Sequence, residues 1–409
     1  MAGDAEHGTV LVVEELADWS NGHFSVRFAQ LAQAYVELGY EVEVLTAVGW
    51  HRSGEHPVPF SVHRFGPVAR VFRRGARRVL RGDLAPVVLT LITAAAIRAH
   101  VRRMVTAPVA IVMLGWQTVP AVVAATAAAD DAHWLLNHFQ APRPLLTPGP
   151  RRLARGIDTI ARRREARRRA RGGALRLAVA DEPRRDAWAK QVPYLDPVVL
   201  PIAGVREVTP EPDARVHLGL DEHARVALLF GDRYSKDRAT VLAAFCRLPG
   251  WTLVIAGRVA EGLASSANVV IMSGVVSDAT RDGLFAAADL VVLSFSADYR
   301  SNSGTLMDAI SLGVPVVCTE DAAAARIVQR YRLGVGFTGG DVSSLVDAVH
   351  RAPGAIAPAD LESARTALSN RAVARGQLSA MGISDRATRA PAPPGRRGRP
   401  GSRTRGRTA

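Results

Sequence analysis

The stretch ADLVVLSFSADYRSNSGTLMDAISLGVPVVCT, residues 288–319, decides the fold of this chain. Two short runs rich in β-branched residues, 290–293 and 314–318, are each bounded by residues that break secondary structure. Strands that are buried on both faces of a parallel sheet have this composition. A helix is predicted between the two runs, and Gly313 is expected to end it before Pro315. The stretch is therefore predicted to form a strand–helix–strand unit of a parallel sheet.

Small and polar residues stand where this helix should begin. They are Ser301, Asn302, Ser303, Gly304 and Thr305. Unpaired backbone N–H groups and the helix dipole both favour an anion at a helix N-terminus, so this segment can hold a phosphate group. Asp308 follows one turn later, where its carboxylate can accept hydrogen bonds from sugar hydroxyls. A Ser-rich helix cap without any ligand accounts for the same residues about equally well.

Length and composition indicate two domains in the cytosol. The chain has 409 residues, of which 48 % are hydrophobic, so it can bury two cores. Cys246 and Cys318 both lie in apolar contexts, which favours reduced thiols over a disulfide framework. The first residues include no basic segment, so no signal peptide is expected. The longest apolar run, residues 84–97, is too short to span a bilayer.

Positive charge is concentrated in two segments, apart from a further cluster of arginines between Arg64 and Arg81. Residues 151–171 carry ten Arg and two acidic residues, and the tail from Arg386 onward carries eight Arg and no acidic residue. Leu153, Ile157 and Ile160 are spaced to make a narrow apolar stripe on the first segment. A basic helix of this kind fits an anionic membrane surface, nucleic acid or plain solvation, but the aromatic residues of a nucleic-acid platform are missing from it.

The first half of the chain opens with a strand, a loop, a helix and a second strand. The loop contains Asn21, Gly22 and His23, and a bound phosphate or sugar can approach the backbone closely at Gly22. A tight turn into the helix is nearly as consistent with these residues. No G-x-G-x-x-G pattern follows the first strand, so a dinucleotide site is poorly supported.

His138 stands at the end of a strand predicted over residues 133–136. Ligands bind at the carboxyl ends of the strands in a parallel sheet, so this histidine is a candidate site residue. A purely structural role is the more common one for a single histidine.

Strands and helices also alternate through the second half, which predicts a second parallel sheet. Its first strand is followed by a loop that begins at Gly231 and contains Arg233 and Lys236. This loop should share one sheet edge with residues 301–305, so the two can hold a diphosphate between them. Positive charge there assists departure of a nucleoside diphosphate, because the leaving group gains negative charge in the transition state. The chain has no Asp-x-Asp pair and no His/Cys metal-ligand spacing, so we expect a mechanism without metal or cofactor.

The order and spacing of several segments resemble the C-terminal domain of retaining, GT-B-fold glycosyltransferases of the family-4 type, also called group 1. These segments are WTLVIAGR (251–258), VVIMSGVVSDATRDGLFAAADLVVLSFS (269–296), DAISLGVPVVCTE (308–320) and LGVGFTGGDVSSLVDAV (333–349). In the first half, residues 22–46 are more loosely similar to the opening unit of that family, and residues 135–142 to its strand-and-His element.

The resemblance covers roughly residues 9–350 and implies two Rossmann-like, doubly wound parallel-sheet domains facing a cleft. We expect an acceptor-binding domain over residues 1–200 and a nucleotide-sugar-binding domain over 201–384. A disordered tail rich in Arg, Pro and Gly is expected over 385–409.

The same resemblance assigns roles to single residues. Arg233 and Lys236 match the family's diphosphate-binding pair, Asp308 matches a carboxylate that contacts the ribose, and His138 matches a histidine near the transferred sugar. The backbone amides that hold the distal phosphate correspond to those of Asn302, Ser303, Gly304 and Thr305. Arg300 stands where the family usually has a Glu that contacts the donor sugar, so this loop resembles a variant with Ser-Gly in that place.

The sequence therefore predicts a cytoplasmic, retaining, metal-independent glycosyltransferase. It would move a sugar from a UDP- or GDP-sugar to a lipid-linked, polysaccharide or small-molecule acceptor, and its Arg-rich surfaces would dock on the inner face of a membrane. Three alternatives are a nucleotide-sugar epimerase, a catalytically degenerate homologue and, more remotely, a nucleic-acid-binding protein, whose affinity would depend steeply on salt.

Overall fold

The structure is a computed structural model. It describes residues 8–14, 23–46, 59–72, 84–114, 132–138, 151–209, 211–231, 235–296, 303–352 and 354–383. In chain order the elements of the first half are β1 (Thr9–Glu14), α1 (His23–Glu37), β2 (Glu41–Thr46), β3 (Ser61–Arg64), α2 (Leu84–Val101), β4 (Ala110–Leu114), β5 (His133–His138), α3 (Arg151–Ala170), β6 (Leu175–Val179), α4 (Glu182–Gln191) and β7 (Asp196–Val199).

The elements of the second half follow the same alternation. They are α5 (Ala214–His217), β8 (Arg225–Phe230), α6 (Arg238–Phe245), β9 (Trp251–Gly257), β10 (Val269–Ser273), α7 (Asp278–Ala287), β11 (Leu290–Leu293), α8 (Gly304–Leu312), β12 (Val316–Thr319), α9 (Ala323–Arg330), β13 (Gly334–Phe337), α10 (Val342–Arg351), α11 (Pro358–Leu368) and α12 (Asn370–Ala380).

Both halves build a doubly wound parallel sheet. In the described part of the chain, the first sheet has the strand order β3-β2-β1-β4-β5-β6-β7 and the second has β10-β9-β8-β11-β12-β13. Every strand pairing in both sheets is parallel. The strand order reverses between β1 and β4 and between β8 and β11, and ligands bind beyond the carboxyl ends of the strands at such points. The predicted fold class of two such sheets is confirmed, whereas the predicted tail lies outside the described residues.

Buried apolar side chains fill both faces of each sheet. All six residues of β1 and all five of β4 are buried, which is why their sequences are continuous apolar runs rather than alternating ones. Gly313 ends α8 in the left-handed conformation with φ 76°, as the sequence predicts.

Helix α12 packs on the first sheet, although it follows the second sheet in the chain. Its residues Val373, Ala374 and Leu378 are buried with those of α1 in one core. Gln377 accepts a hydrogen bond from the Tyr35 hydroxyl and donates one from Nε2 to Asn137 Oδ1 at 3.1 Å. The expected boundaries assigned this helix to the second domain. Its apolar face instead complements that of α1, so the chain closes back on the first sheet.

The basic helix α3 buries a charged face. Ala161, Glu165 and Arg168 are buried, and Arg168 Nη1 lies 3.3 Å from Glu165 Oε2. The Arg168 guanidinium carbon also lies 5.6 Å from the centroid of the Trp134 ring. Ile160, by contrast, is 50 % exposed, so the expected apolar stripe is wrong at this residue. The side chains of Leu153 and Ile157 are outside the described part of the structure.

Taken over the residues that the structure describes, none of the helices combines the length and the apolar character needed to cross a membrane.

Candidate active site

Two loops meet where the strand order of the second sheet reverses. One follows β8 and the other follows β11, and Lys236 forms an antiparallel bridge with Phe295 between them. The backbone N–H of Asp237 donates to Ser294 O at 3.1 Å, and the Ser294 hydroxyl donates to Asp237 O at 3.1 Å. A group that binds at the end of one strand is therefore within reach of the loop from the other.

Lys236 is buried between these loops. The residue is 6 % exposed, and its Nζ lies 4.2 Å from the centroid of the Phe295 ring. No described residue accepts a hydrogen bond from this ammonium group. Burial lowers the pKa of Lys236 to about 8, although the nearby Cys318 thiol acts in the opposite direction. An ammonium group in this state is stabilised by any anion that reaches it.

The N-terminus of α8 lies next to this lysine. Ser303 caps the helix, because its Oγ accepts a hydrogen bond from Leu306 N at 3.3 Å. The Thr305 hydroxyl donates to Phe230 O at 3.4 Å, which fixes the first turn of the helix to the end of β8.

Gly231 lies where these groups converge. Its φ is 123°, and a Cβ at this position would lie 3.6 Å from Thr305 Oγ1 and 3.8 Å from Lys236 Cε. The structure thus brings together Gly231, Lys236 and the start of α8, including Ser303, Gly304 and Thr305. One buried positive charge therefore lies beside a helix N-terminus, an arrangement that is suited to a phosphate group.

Asp308 lies one turn further along α8 and is 3 % exposed. Its Oδ1 is 3.7 Å from Nε of Arg206, a residue on the segment that joins the two sheets. Arg206 also forms a two-pronged ion pair with Asp282, and its backbone N–H donates to Ser311 Oγ at 3.0 Å. The carboxylate of Asp308 is therefore held from one side by the connecting segment.

The candidate residues of the first domain are described only in part. His138 is the last residue of β5 and pairs in register with Val179, so its backbone lies at the carboxyl edge of the first sheet. His23 is the first residue of α1. The side chains of both histidines lie outside the described part of the structure, as do the whole residues Asn21 and Gly22.

Other predicted residues also fall outside the described ranges. They are Arg233, Asn302 and Arg300. Each belongs to one of the two loops whose described ends are bonded to each other, since Ser296 N donates to Ser235 O at 3.3 Å.

Sequence reasoning missed the groups that surround Lys236. Phe295 provides the ring beneath the ammonium group, and Thr319 Oγ1 fixes that residue by accepting from Phe295 N at 3.0 Å. The sequence did contain one signal that Lys236 is unusual, because Lys190 is the chain's single other lysine. All other basic side chains, apart from histidine, are arginines.

Comparison with known proteins agrees with this geometry. Residues 229–352, which include both loops, match the family model described as Glycosyl transferases group 1. No curated protein sequence matches the chain.

Solved structures match over nearly the whole chain. The sucrose-phosphate synthase from Thermosynechococcus elongatus has 16 % sequence identity and a TM-score of 0.59, with 92 % of this chain and 95 % of that one covered. An α,α-trehalose-phosphate synthase (UDP-forming) from Burkholderia xenovorans has 12 % identity and a TM-score of 0.61, with 90 % and 99 % covered. HepE from Anabaena, solved in complex with UDP, has 16 % identity and a TM-score of 0.53, with 92 % and 97 % covered.

The fold is therefore GT-B, and the second sheet belongs to a group 1 glycosyltransferase domain. The predicted fold is confirmed, and the match over residues 229–352 supports the prediction of a group 1 glycosyltransferase domain and of a transferase enzyme. The stereochemical outcome and the Ser-Gly variant of the loop around Arg300 stay predictions.

Proposed function

We propose that this protein transfers a sugar from a nucleotide-sugar donor, UDP- or GDP-linked, to a lipid-linked, polysaccharide or small-molecule acceptor, with retention of the anomeric configuration. The observation that carries the proposal is Lys236, a buried ammonium group without a hydrogen-bond acceptor among the described residues. It lies at the switch point of a group 1 glycosyltransferase domain, where a donor diphosphate would supply the missing acceptor.

The chemical step requires charge stabilisation on the leaving group. The bond between the anomeric carbon and the diphosphate oxygen breaks, the acceptor oxygen forms a new bond to that carbon, and the acceptor proton passes to the departing diphosphate. Because negative charge grows on the diphosphate, the ammonium group of Lys236 and the N–H groups at the start of α8 interact more strongly with the transition state than with the donor. Attack from the face that the diphosphate leaves accounts for retention.

Residues outside the described ranges complete the proposed site by resemblance. Arg233 would share the diphosphate with Lys236, and Asn302 would extend the phosphate-binding turn before Ser303. His138 would lie near the transferred sugar, and the loop at Asn21, Gly22 and His23 would face the acceptor or its phosphate.

Asp308 is proposed to bind the ribose hydroxyls. Its contact with Arg206, at 3.7 Å, would keep the carboxylate in one orientation before the donor arrives. The substitution Asp308→Asn should therefore raise the KM for the donor more than it lowers kcat.

A metal ion is not required by this mechanism, since positive side chains and backbone N–H groups stabilise the leaving group. UDP is the first nucleotide to test, because HepE was solved with UDP and the trehalose-phosphate synthase is UDP-forming.

The experiment is a count of nucleoside diphosphate released from a panel of UDP-, GDP- and ADP-sugars, with and without EDTA. We expect slow release from one donor that EDTA does not reduce, that Lys236→Met lowers roughly 10²–10³-fold and that Lys190→Met leaves intact. Binding of a nucleotide without turnover, even when acceptors are added, would indicate a degenerate homologue. Absence of nucleotide binding would overturn the proposal.

We further propose that the exposed side of α3 docks on an anionic membrane. Its exposed arginines include Arg162, Arg163, Arg167 and Arg169. Such a cluster is attracted to acidic headgroups and screened by salt. Sedimentation with phosphatidylglycerol vesicles should exceed that with phosphatidylcholine vesicles and should fall in the double variant Arg163→Glu/Arg167→Glu. The control Arg330→Glu/Arg351→Glu, on the second domain, should sediment normally. Equal sedimentation with both lipids would contradict docking.

A further inference from the structure

Three metal-binding side chains meet at one edge of the first sheet. Nε2 of His100 lies 2.7 Å from Glu43 Oε2, and Nε2 of His63 lies 3.3 Å from the same oxygen. The two imidazole rings have centroids 4.6 Å apart. One ligand atom from each residue lies within 4.8 Å of the other two.

The three residues come from different elements. Glu43 is on β2, His63 is on the edge strand β3, and His100 is in the last turn of α2. His63 is in register with Leu45, whose side chain is buried in the core that also contains residues of α2. Glu43 and His63 therefore point to the side of the sheet that α2 covers. Their separation in the chain explains why no ligand spacing is visible in the sequence.

The distances suit a small divalent cation. Zinc binds imidazole nitrogen and carboxylate oxygen at about 2.0–2.2 Å in tetrahedral geometry, which places neighbouring ligand atoms about 3.3 Å apart. The contact between His63 Nε2 and Glu43 Oε2 has that separation, whereas the contact of His100 Nε2 with the same oxygen, at 2.7 Å, is a hydrogen bond that a bound ion would lengthen. Two imidazoles and one carboxylate, with water in the remaining position, are an established zinc ligand set, whereas Mg²⁺ and Ca²⁺ prefer oxygen ligands alone.

We propose that Glu43, His63 and His100 bind a divalent transition-metal ion of the zinc type. The ion connects β3 to β2 and α2. All four residues of β3 are exposed, so little apolar burial holds this strand on the sheet, and a metal ion supplies the missing attachment.

The role of the ion is structural rather than catalytic. Glu43 is the third of the six residues of β2, and His63 is in register with the fifth, so the cluster lies on a face of the first sheet rather than beyond its carboxyl edge. Candidate donor and acceptor groups lie at the carboxyl edges instead. Removal of the ion should therefore lower the melting temperature and leave the initial rate of nucleotide release unchanged.

A simple hydrogen bond between histidine and carboxylate is the competing explanation, and the chain contains a matched example of it. Nδ1 of His217 contacts Glu211 Oε1 on the surface of the second domain, and no third metal ligand among the described residues joins that pair. His217→Gln is thus the control for a His–Glu pair that does not bind metal.

The test uses the full-length protein, stripped with a chelator and titrated with Co²⁺ and then Zn²⁺. We expect one equivalent of Co²⁺ to give the visible absorption of a tetrahedral site and Zn²⁺ to displace it. His63→Gln and His100→Gln should each lose this signal, whereas His217→Gln should keep it. His63 suits substitution, because 43 % of its side chain is exposed.

A second readout separates metal binding from damage to the fold. In the presence of chelator, His63→Gln should melt at the same temperature as the unchanged protein, and added Zn²⁺ should raise the melting temperature of the unchanged protein alone. A Co²⁺ signal that survives in His63→Gln and His100→Gln, or no stoichiometric signal in the unchanged protein, would overturn the proposal.

Discussion

Two buried cations in this molecule each lie over an aromatic ring, but they differ in what balances their charge. Arg168, on α3 of the first domain, is 0 % exposed, lies over Trp134 and has the carboxylate of Glu165 at 3.3 Å. Lys236, at the switch point of the second sheet, lies over Phe295, and no described residue accepts a hydrogen bond from its Nζ.

Under the proposed function, this difference separates a charge that stabilises the fold, on Arg168, from a charge that binds substrate, on Lys236. A buried charge costs free energy unless it is paired and hydrogen-bonded. The arginine is paired within its own helix, so it needs no further ligand. The lysine is not, and burial accordingly lowers the pKa of Lys236 to about 8. A bound anion would relieve this unfavourable environment, and under the proposed function that anion is the donor diphosphate, whose binding would then stabilise the fold.

The largest loss of stability is expected when the buried ion pair between Glu165 and Arg168 is broken. Glu165→Ala leaves Arg168 buried without its carboxylate, so the free energy of unfolding should fall by about 3–5 kcal/mol. Asp158→Ala is the control, because Asp158 pairs with Arg162 on the exposed side of the same helix and such pairs contribute less than about 1 kcal/mol. Urea unfolding measures both. Equal losses of unfolding free energy in the two variants would show that the buried pair stabilises the fold no more than the exposed pair does.

Removing the charge of Lys236 should lower activity without lowering stability. Lys236→Met keeps the length of the side chain and removes an unpaired buried charge, so the free energy of unfolding should stay the same or rise. The rate of nucleotide release should fall roughly 10²–10³-fold, as for loss of a group that stabilises a developing negative charge. Lys190→Met should change neither quantity. A strongly destabilised Lys236→Met with normal turnover would assign the lysine to the fold instead.

The pH dependence of nucleotide binding follows from the same lysine. Above pH 8 the unliganded lysine is mostly neutral, whereas a bound diphosphate favours the ammonium form. The affinity for UDP should therefore fall about tenfold, or about 1.4 kcal/mol, for each further pH unit. Isothermal titration calorimetry in buffers of different ionisation enthalpy should detect uptake of a proton, and the Lys236→Met variant should show none. An affinity that is constant from pH 7 to 9.5 would contradict this interpretation.

The stability contribution of Lys236 has a definite sign. Its folded-state pKa of about 8 lies below the ordinary value of about 10.4, so the unfolded chain binds the proton more tightly. Between these two values, this group therefore makes the free energy of unfolding increase with pH. Comparison of the unchanged protein with Lys236→Met at pH 7 and 9.5 isolates the effect.

The smallest expected effect concerns the ring beneath the ammonium group. Phe295→Leu removes a cation–π contact of about 0.5–2 kcal/mol and should lower the pKa of Lys236 further, by about 0.4–1.5 pH units. Phe285→Leu is the control, since Phe285 is also buried but pairs with Phe230 rather than with a cation. An unchanged or raised pKa of Lys236 in Phe295→Leu would contradict a role for the ring.

The fold could be predicted from the sequence because its signals are local. The β-branched run at residues 290–293 coincides with β11, and Gly313 ends α8 in the left-handed conformation that a glycine permits. Phe28 and Tyr35, which recur at helical spacing, are both buried in α1. Each of these features depends on neighbours along the chain.

For the candidate site, the sequence predicted which loops form it but not how their side chains contact each other. The positions of Lys236 and Ser303 follow from strand ends, but the burial of the ammonium group depends on Phe295, a residue of the other loop. The buried charge on α3 was missed for a similar reason, since Trp134 comes from β5. Glu43, His63 and His100 meet through three elements, and no pattern within one segment encodes that contact.

The most direct test of the account is the titration of Lys236 itself. Lys190 and Lys236 are the two lysines of the chain, so protein labelled with carbon-13 at lysine Cε should give two signals. We predict that the Lys236 signal titrates near pH 8 and that saturating UDP moves the pKa of Lys236 towards the ordinary value of about 10.4. If neither signal titrates near pH 8, or if the signal that does keeps the same pKa when UDP is added, the claim that the buried charge of Lys236 binds the donor diphosphate is contradicted.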